Sequence, residues 1–420
     1  MSTNHPDAVP GPPADPHYGA PGPSRGASNP SWLGQVRATN YHPAPGYSNG
    51  PFSGMMPPAP ARQGTSAGVL GLVIGGGVLA FFSLFLVLPF LLANTGSTGF
   101  IIGFVASLIP LAAVLLAVHV IDRWEPEPRR LLLFAFTWGA AVSIAVTLLI
   151  QPFFALMFPY SGEADFQAFM ATVQAPVVEE FAKSLGLLLL LLLARKHFDG
   201  PVDGVVFAFT VAGGFAFTEN ILYFGRAIAE SSSPGPDLVQ MFFLRGVMSP
   251  FAHAIFTATT GLIMGLAARR WHGGVSVGAF FVGLIPAMFL HNRWNSMGQG
   301  FLVDYLLIQI PIFLLAVSCI FLLRVAENRL TRQRLLEYCA AGWFTITEVN
   351  MLATARGRRE AIRWANSYHR GPHMKSLVKA ATQLAFTRQR ILSGRDITAH
   401  QADELQQLQH IVALRAAVVG

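Results

Sequence analysis

One segment constrains this chain more than any other. Gln174-Ala-Pro-Val-Val-Glu-Glu-Phe-Ala-Lys183 lies inside an apolar run, residues 169–194, that is otherwise long enough to cross a bilayer. Glu179, Glu180 and Lys183 fall near the middle of that run. A charged side chain at membrane depth costs at least about 2.5–3.5 kcal/mol, so two adjacent intramembrane carboxylates mark a functional site by default. Glu179 and Lys183 are spaced i, i+4 and are expected to pair. Glu180 is turned about 100° away and has no local partner, so another part of the chain is expected to face it.

The setting is a membrane. Only 12% of residues are charged and 52% are hydrophobic, with a mean hydropathy of +0.47, against roughly 25% charged in soluble domains. Apolar runs near the ~20 residues needed for a spanning helix fall at 68–93, 97–121, 131–157, 170–194, 203–224, 242–268, 275–294 and 303–324. Leucine-rich runs such as 187–193 exclude a transmembrane barrel, whose strands alternate polar and apolar residues. The expected fold is therefore all-α, a polytopic membrane bundle of about eight transmembrane helices with a small helical cytoplasmic C-terminal region.

The formal charge of +7 does not point to nucleic acid, because the arginines sit at membrane boundaries and in the C-terminal tail. Loops carrying Arg123, Arg129 and Arg130, then Arg195 and Lys196, then Arg269 and Arg270 alternate with residues 94–99 and 159–169, which have no Lys or Arg. The positive-inside rule places the arginine-bearing loops and both termini in the cytoplasm of a multi-pass cell-membrane protein, with Arg226 and Arg293 as exceptions on the other side. Four lysines against twenty-five arginines suggest a bacterial source. Cys319 and Cys339 form neither a disulfide framework nor a metal motif.

Three regions follow. Residues 1–65, rich in Pro, Gly and Ser, cannot bury a core and are expected to be a disordered tail. Residues 66–325 form the membrane domain. Residues 326–420 carry mixed charge and helical periodicity, with Thr345-Ile-Thr-Glu348 as a capping box opening a helix to about Trp364, and Gly371-Pro372 breaking the pattern before the next. The basic stretch Arg356-Gly-Arg-Arg359 is read as a solvated helix surface.

Groups able to answer Glu180 recur in the next three spans: Glu219 with Asn220, then His253, then His291 with Asn295. With the orientation above, these groups share one layer in the outer half of the bundle. Interhelical hydrogen bonding alone would explain Asn220 or Ser249, but not a repeated desolvation cost at three acids and two histidines. Two chemical routes are open. His253, His291 and Glu180 are the ligand types of a catalytic zinc, with a spare carboxylate as general base. Alternatively a buried glutamate activates water unaided, with the histidines and Asn295 donating to the oxyanion. Both end in hydrolysis, with Glu179, Glu180, Glu219 and Asn295 as the catalytic candidates. An ion- or proton-coupled transporter would use similar groups but would carry inverted repeats, and none is found. An inactive scaffold is the third reading.

The ordered series Glu179-Glu180-x-x-Lys183, Phe215-x-x-x-Glu219, Arg245…His253-Ala-Ile-Phe-Thr257 and His291-x-x-x-Asn295, preceded by Asp122-Arg-Trp-Glu-Pro-Glu-Pro128, resembles the PrsW family of bacterial intramembrane proteases, relatives of the CAAX prenyl endopeptidases. The resemblance covers residues 70–325. It implies a polytopic peptidase of the metalloprotease class, with Zn2+ as cofactor, although the prenyl endopeptidase relatives are also discussed as glutamate-dependent enzymes. It further implies a membrane-anchored protein substrate, an anti-sigma factor in some members. Segment 122–128 lies at the opposite membrane boundary from the cluster and reads as structural.

Overall fold

The computed structural model describes residues 67–123, 126–157, 162–270, 273–297, 301–394 and 397–419. The expected disordered tail and the first residues of the loop after the third span lie outside these. Among the described residues the chain is helical throughout and free of strands.

Helix α1 (Ala67–Ile121) is a 55-residue stretch, more than twice the length that crosses a ~30 Å hydrocarbon core. It therefore turns back on itself. The reversal falls at Gly96, whose φ of 62° and ψ of 173° lie where only glycine is comfortable. The first limb starts beside Leu190 and Leu191. The second ends beside Val202 and Val205. Next come α2 (Arg129–Thr137), a π-helical turn (Trp138–Ser143) and α3 (Ile144–Met157). The fourth crossing is α4 (Glu163–Phe169), a second π turn (Met170–Gln174) and α5 (Ala175–Leu193). Helix α6 (Pro201–Ala229) runs through the centre, and 78% of its most apolar stretch is buried. The sixth crossing comprises α7 (Pro234–Phe242), a third π turn (Phe243–Met248) and α8 (Ala252–Arg270). Helix α9 (Gly273–Asn295) follows. The last crossing is α10 (Phe301–Asp304), a fourth π turn (Tyr305–Gln309) and α11 (Ile310–Ala340).

Among the described residues six helical stretches are long and apolar enough to cross a membrane, and the first contains both limbs of α1. Ala175–Leu193 has the length but carries three ionisable residues. Every segment read from the sequence thus falls within helix, with one difference: the sixth is interrupted at residues 249–251, where Ser249 leaves the helical region (φ −130°, ψ 31°). Pro250 explains the break, since the residue before a proline is pushed out of the α region.

Without a hydrophobic driving force between helices in lipid, close backbone approach through small residues holds such bundles together. Gly204 on α6 and Gly261 on α8 are the tightest reciprocal example: a Cβ at either would come within 2.0–2.1 Å of the other's carbonyl oxygen.

The C-terminal region is not separated from the last crossing. Helix α11 passes residue 325 unbroken, and Leu335 and Tyr338 on its far half enter a core with α12 (Ile346–Ala353), α13 (Ala355–Ser367), α14 (Gly371–Leu392) and α15 (Ile397–Val419). The capping box at Thr345 forms, with Thr345 Oγ1 accepting from Glu348 N–H and Glu348 Oε2 accepting from Thr345 N–H. The helix it opens is shorter than expected. It stops at Ala353 because Thr354 is extended and caps a second helix by accepting from Gly357 N–H. The expectation for 356–359 also changes in part: Arg356 is exposed and pairs with Glu360, but Arg358 is buried and donates to the Leu352 carbonyl. An ion pair between Arg390 and Asp199 ties the tail to the arginine-bearing end of the bundle.

At that end Asp122 accepts the Glu127 N–H on both carboxylate oxygens, each at 3.1 Å. Burial pushes its carboxyl up to about 6 despite that bond and nearby Arg324. A carboxyl raised in the folded state stabilises the fold at pH values below its unfolded pKa, and that contribution is lost as pH rises through about 6.

Two measurements follow. Gly204→Leu should lower the thermal midpoint of detergent-purified protein by the equivalent of about 1–3 kcal/mol through overpacking, whereas Gly71→Leu, with open space at its Cβ, should not. Asp122→Asn should raise the midpoint relative to wild type at about pH 8 and bring no gain at about pH 4, as read from melting curves at the two pH values.

Candidate functional site

The polar cluster is assembled by four consecutive crossings. Glu179, Glu180, Glu219, His253 and His291 lie about 20–27 Å along their helices from the arginine-bearing ends, at about 1.5 Å per residue. They share one layer beyond the bundle midpoint.

At its centre the expected Lys183–Glu179 pair is present but long, and a second, tighter pair stands beside it. Lys183 Nζ donates to Glu180 Oε1 at 2.6 Å, the i, i+3 partner, and both side chains are fully buried. Its distance to Glu179 is 3.9 Å. Glu180 therefore does have a local partner, and it has two more from other helices: His291 Nδ1 at 3.0 Å from Oε1, and Thr257 Oγ1 donating to Oε2 at 2.8 Å. Glu180 thus receives three donors. Glu179 is the carboxylate with capacity left: its Oε2 is buried without a hydrogen-bond partner and lies 3.9 Å from His291 Nε2.

Each imidazole is oriented by a carboxylate. Glu180 accepts at His291 Nδ1, leaving Nε2 toward Glu179. Glu219 Oε2 lies 2.8 Å from His253 Nε2, and Lys183 Nζ approaches His253 Nδ1 at 3.3 Å. An ammonium only donates, so His253 carries its proton on Nε2. Glu219 is in turn paired with Arg245, whose Nε donates to Asn220 Oδ1 at 2.7 Å. Aromatic rings close the cluster: Lys183 sits 4.3 Å over Phe215, and Phe256 stacks on His291.

The π turns locate these side chains. Such turns leave a carbonyl without its usual helical partner, and here neighbouring helices supply donors. Thr218, next to Glu219, donates to the Ala140 carbonyl. Trp138 in the same turn donates to the Ala182 carbonyl, next to Lys183. In the second π turn, Ala171 and Thr172 carbonyls accept from Asn295 and Asn292.

The structure thus brings together Glu179, Glu180, Glu219, His253 and His291, and leaves Asn295 out of the cluster, its amide committed to backbone at the end of α9. The triad whose ligand atoms lie within 4.8 Å of one another is Glu179, His253 and His291, so the carboxylate beside the histidines in a metal-binding set is Glu179 in place of Glu180. Two contributing residues received no role from the sequence reading. Arg245 is an intramembrane arginine, a signal that alone implies a buried acid partner. Thr257 carried no signal beyond its place in the motif series.

Fold and cluster define a polytopic helical membrane protein with a buried acid–imidazole cluster. The model of the PrsW family, described as intramembrane metalloproteases, matches residues 127–317. Curated relatives named Protease PrsW include one from Oceanobacillus iheyensis, 28% identical over 200 residues (47% of this chain, 82% of that one). Another, from Clostridioides difficile, is 25% identical over 229 residues (54% and 90%), and a third, from Bacillus subtilis, is 26% identical over 191 residues (45% and 79%). No solved structure matches significantly. Over residues 127–317 the chain is thus similar to intramembrane proteases of the PrsW family.

Breaking a buried ion pair on one side strands the other charge. Lys183→Leu should destabilise the protein by about 3–5 kcal/mol, and adding Glu180→Leu should recover a large part of the loss. Denaturation of both variants in detergent tests this pairing against the Glu179 alternative, since Glu179→Leu in the Lys183→Leu background should recover little.

Proposed function

We propose that this protease hydrolyses a peptide bond of a membrane-anchored protein near the extracytoplasmic face, using zinc held by Glu179, His253 and His291. The observation that carries the reading is the Glu179 carboxylate oxygen, buried without a hydrogen-bond partner and facing two imidazoles within 4.8 Å. Two imidazoles and one carboxylate form a ligand set known for catalytic zinc. The orienting carboxylates are in place, because a metal-binding histidine usually gives its other N–H to a carboxylate, as His291 does to Glu180 and His253 to Glu219; His253 would then offer Nδ1, from which Lys183 Nζ, 3.3 Å away, would have to withdraw.

When bound, zinc would polarise the scissile carbonyl and lower the pKa of an attacking water. The protein's own groups do the rest. Glu180 and Glu219 fix the imidazole tautomers. Lys183 and Arg245 offset the charge of three carboxylates in a dry layer. With Glu179 holding the metal, the proton from water would go to another carboxylate, and Glu219, whose two donors both reach Oε2, is the one beside His253.

The arginine-bearing loops support an orientation with both termini in the cytoplasm and the cluster in the extracytoplasmic half. Helical backbone is shielded from attack, so the scissile segment must be unwound, and irregular backbone at this depth is tolerated only against protein or a water-filled cavity. The substrate class is a single-span or juxtamembrane protein; the family resemblance points to anti-sigma factors as one such group.

Purified wild type should hold about one zinc per chain, and His253→Ala, His291→Ala and Glu179→Gln should each lose most of it. Cleavage of a panel of single-span peptides, each with a Gly-Pro interruption at a different depth, should fall on the order of 10²-fold or more in the same variants. Undiminished cleavage by metal-free protein would overturn the zinc assignment. Topology has its own test in a background with Cys319 and Cys339 replaced. Ser232→Cys, exposed between α6 and α7, should react with an impermeant thiol reagent in intact cells, and Lys375→Cys in the tail should not. The opposite pattern would move the cut to the cytoplasmic side.

A further inference from the structure

Beside the cluster lies a cavity that the hydrolytic groups do not use. It has a volume of about 170 Å³ and sits between the interruption in the sixth crossing and the start of the last one. Its walls are mainly apolar, including Pro250, Phe251, Ile255, Trp294 and Phe313. Two of its lining residues adjoin the site: Ala252 precedes His253, and Trp294 lies one turn beyond His291.

Gln309 is the odd residue in this wall. It is only 8% exposed, and its Nε2 is buried without a hydrogen-bond partner. A buried polar group that finds no partner costs free energy, and in a native structure it calls for an explanation such as a ligand. The chain also loses helical geometry here, at residues 249–251, inside a crossing, and such backbone belongs where protein or a water-filled cavity meets it. The wall opposite is loosely held. Only 6% of the most apolar stretch of the last crossing is buried, and it is anchored near the cavity by Tyr305 donating to the Met248 carbonyl and by the Phe251–Phe313 ring contact.

We infer that this cavity is a substrate subsite, in which the apolar walls take one side chain of the unwound substrate segment and the Gln309 amide donates to a backbone carbonyl of that segment. This rests on the protease reading above. The chemistry selects the occupant. A lipid chain offers nothing to an amide N–H. A substrate helix unwound next to the histidines exposes carbonyls that have lost their helical donors, together with apolar side chains. A dry cavity of ~150 Å³ in an apolar core accommodates benzene, so this one suits an aromatic or branched aliphatic side chain. The weakly covered last crossing is the side from which a membrane-embedded segment would enter.

The test reads binding separately from cleavage. A photo-activatable benzophenone amino acid replaces Phe313 in one variant and the lipid-facing Phe321, 66% exposed, in another. Both also carry Glu179→Gln to block turnover. The probe is a biotinylated single-span peptide with a Gly-Pro interruption and a phenylalanine beside it, reconstituted in lipid nanodiscs. Crosslinking is expected at position 313 and not at 321, and Gln309→Leu should reduce it about tenfold, the effect of one lost hydrogen bond to a buried group. In the otherwise wild-type enzyme Gln309→Leu should raise KM by a similar factor with kcat little changed and no drop in thermal midpoint. Equal crosslinking at the two positions, no crosslinking at 313, or crosslinking indifferent to Gln309→Leu would overturn the subsite. Specific crosslinking without cleavage of the probe by wild type would keep the subsite and count against the protease reading.

Discussion

The structure depends on one buried cation. Lys183 is fully buried, and its ammonium meets Glu180 on its own helix, His253 on α8 and the face of Phe215 on α6. Desolvating an ammonium and a carboxylate at membrane depth is recovered only when the pair is tight and its remaining donors and acceptors are met. Here they are: Glu180 adds Thr257 from α8 and His291 from α9. Four helices therefore converge because each supplies a group that the central pair requires. The consequence for chemistry is a division of labour between adjacent residues. Glu180 is consumed by structure, and that leaves Glu179, one position away, with an oxygen facing the imidazoles.

The π turns are the second device. Among the described residues four interrupt membrane helices, at residues 138–143, 170–174, 243–248 and 305–309. Carbonyls of the first three accept a side-chain donor from another helix: Thr218, Asn292 with Asn295, and Tyr305. The extra residue in each turn also shifts the face that follows, which is how a continuous apolar helix turns its few polar residues toward one layer. π bulges are frequent at functional sites, and in lipid their freed carbonyls need donors from neighbouring helices, so they serve here as interhelical fasteners.

Much of this was legible in the sequence. Hydropathy located the crossings, because a helix in lipid must be apolar over about twenty residues whatever its neighbours. The cost of burying charge singled out Glu179, Glu180, Glu219, His253 and His291. What escaped has physical causes. Helical spacing makes both i+3 and i+4 neighbours, so it could not say which glutamate Lys183 would take; that choice is made by Thr257 and His291, which are distant in sequence. Asn295 looked like an oxyanion donor because the π turn that claims its amide has no compositional signature. Pro250 breaks a helix that hydropathy alone reads as uninterrupted, and Thr354 ends a helix without the acidic partner that made the Thr345 cap visible.

We propose the capacity left on Glu179, with the two imidazoles, as a metal site. X-ray absorption spectroscopy at the zinc edge on detergent-purified, zinc-loaded protein tests it directly. The spectrum should report about two imidazole nitrogens and carboxylate or water oxygens at ~2.0–2.2 Å with no sulfur, and the imidazole signature should weaken in His291→Ala. Zinc that fails to bind stoichiometrically, or a first shell without imidazole, would contradict the claim and return the chemistry to the glutamates alone.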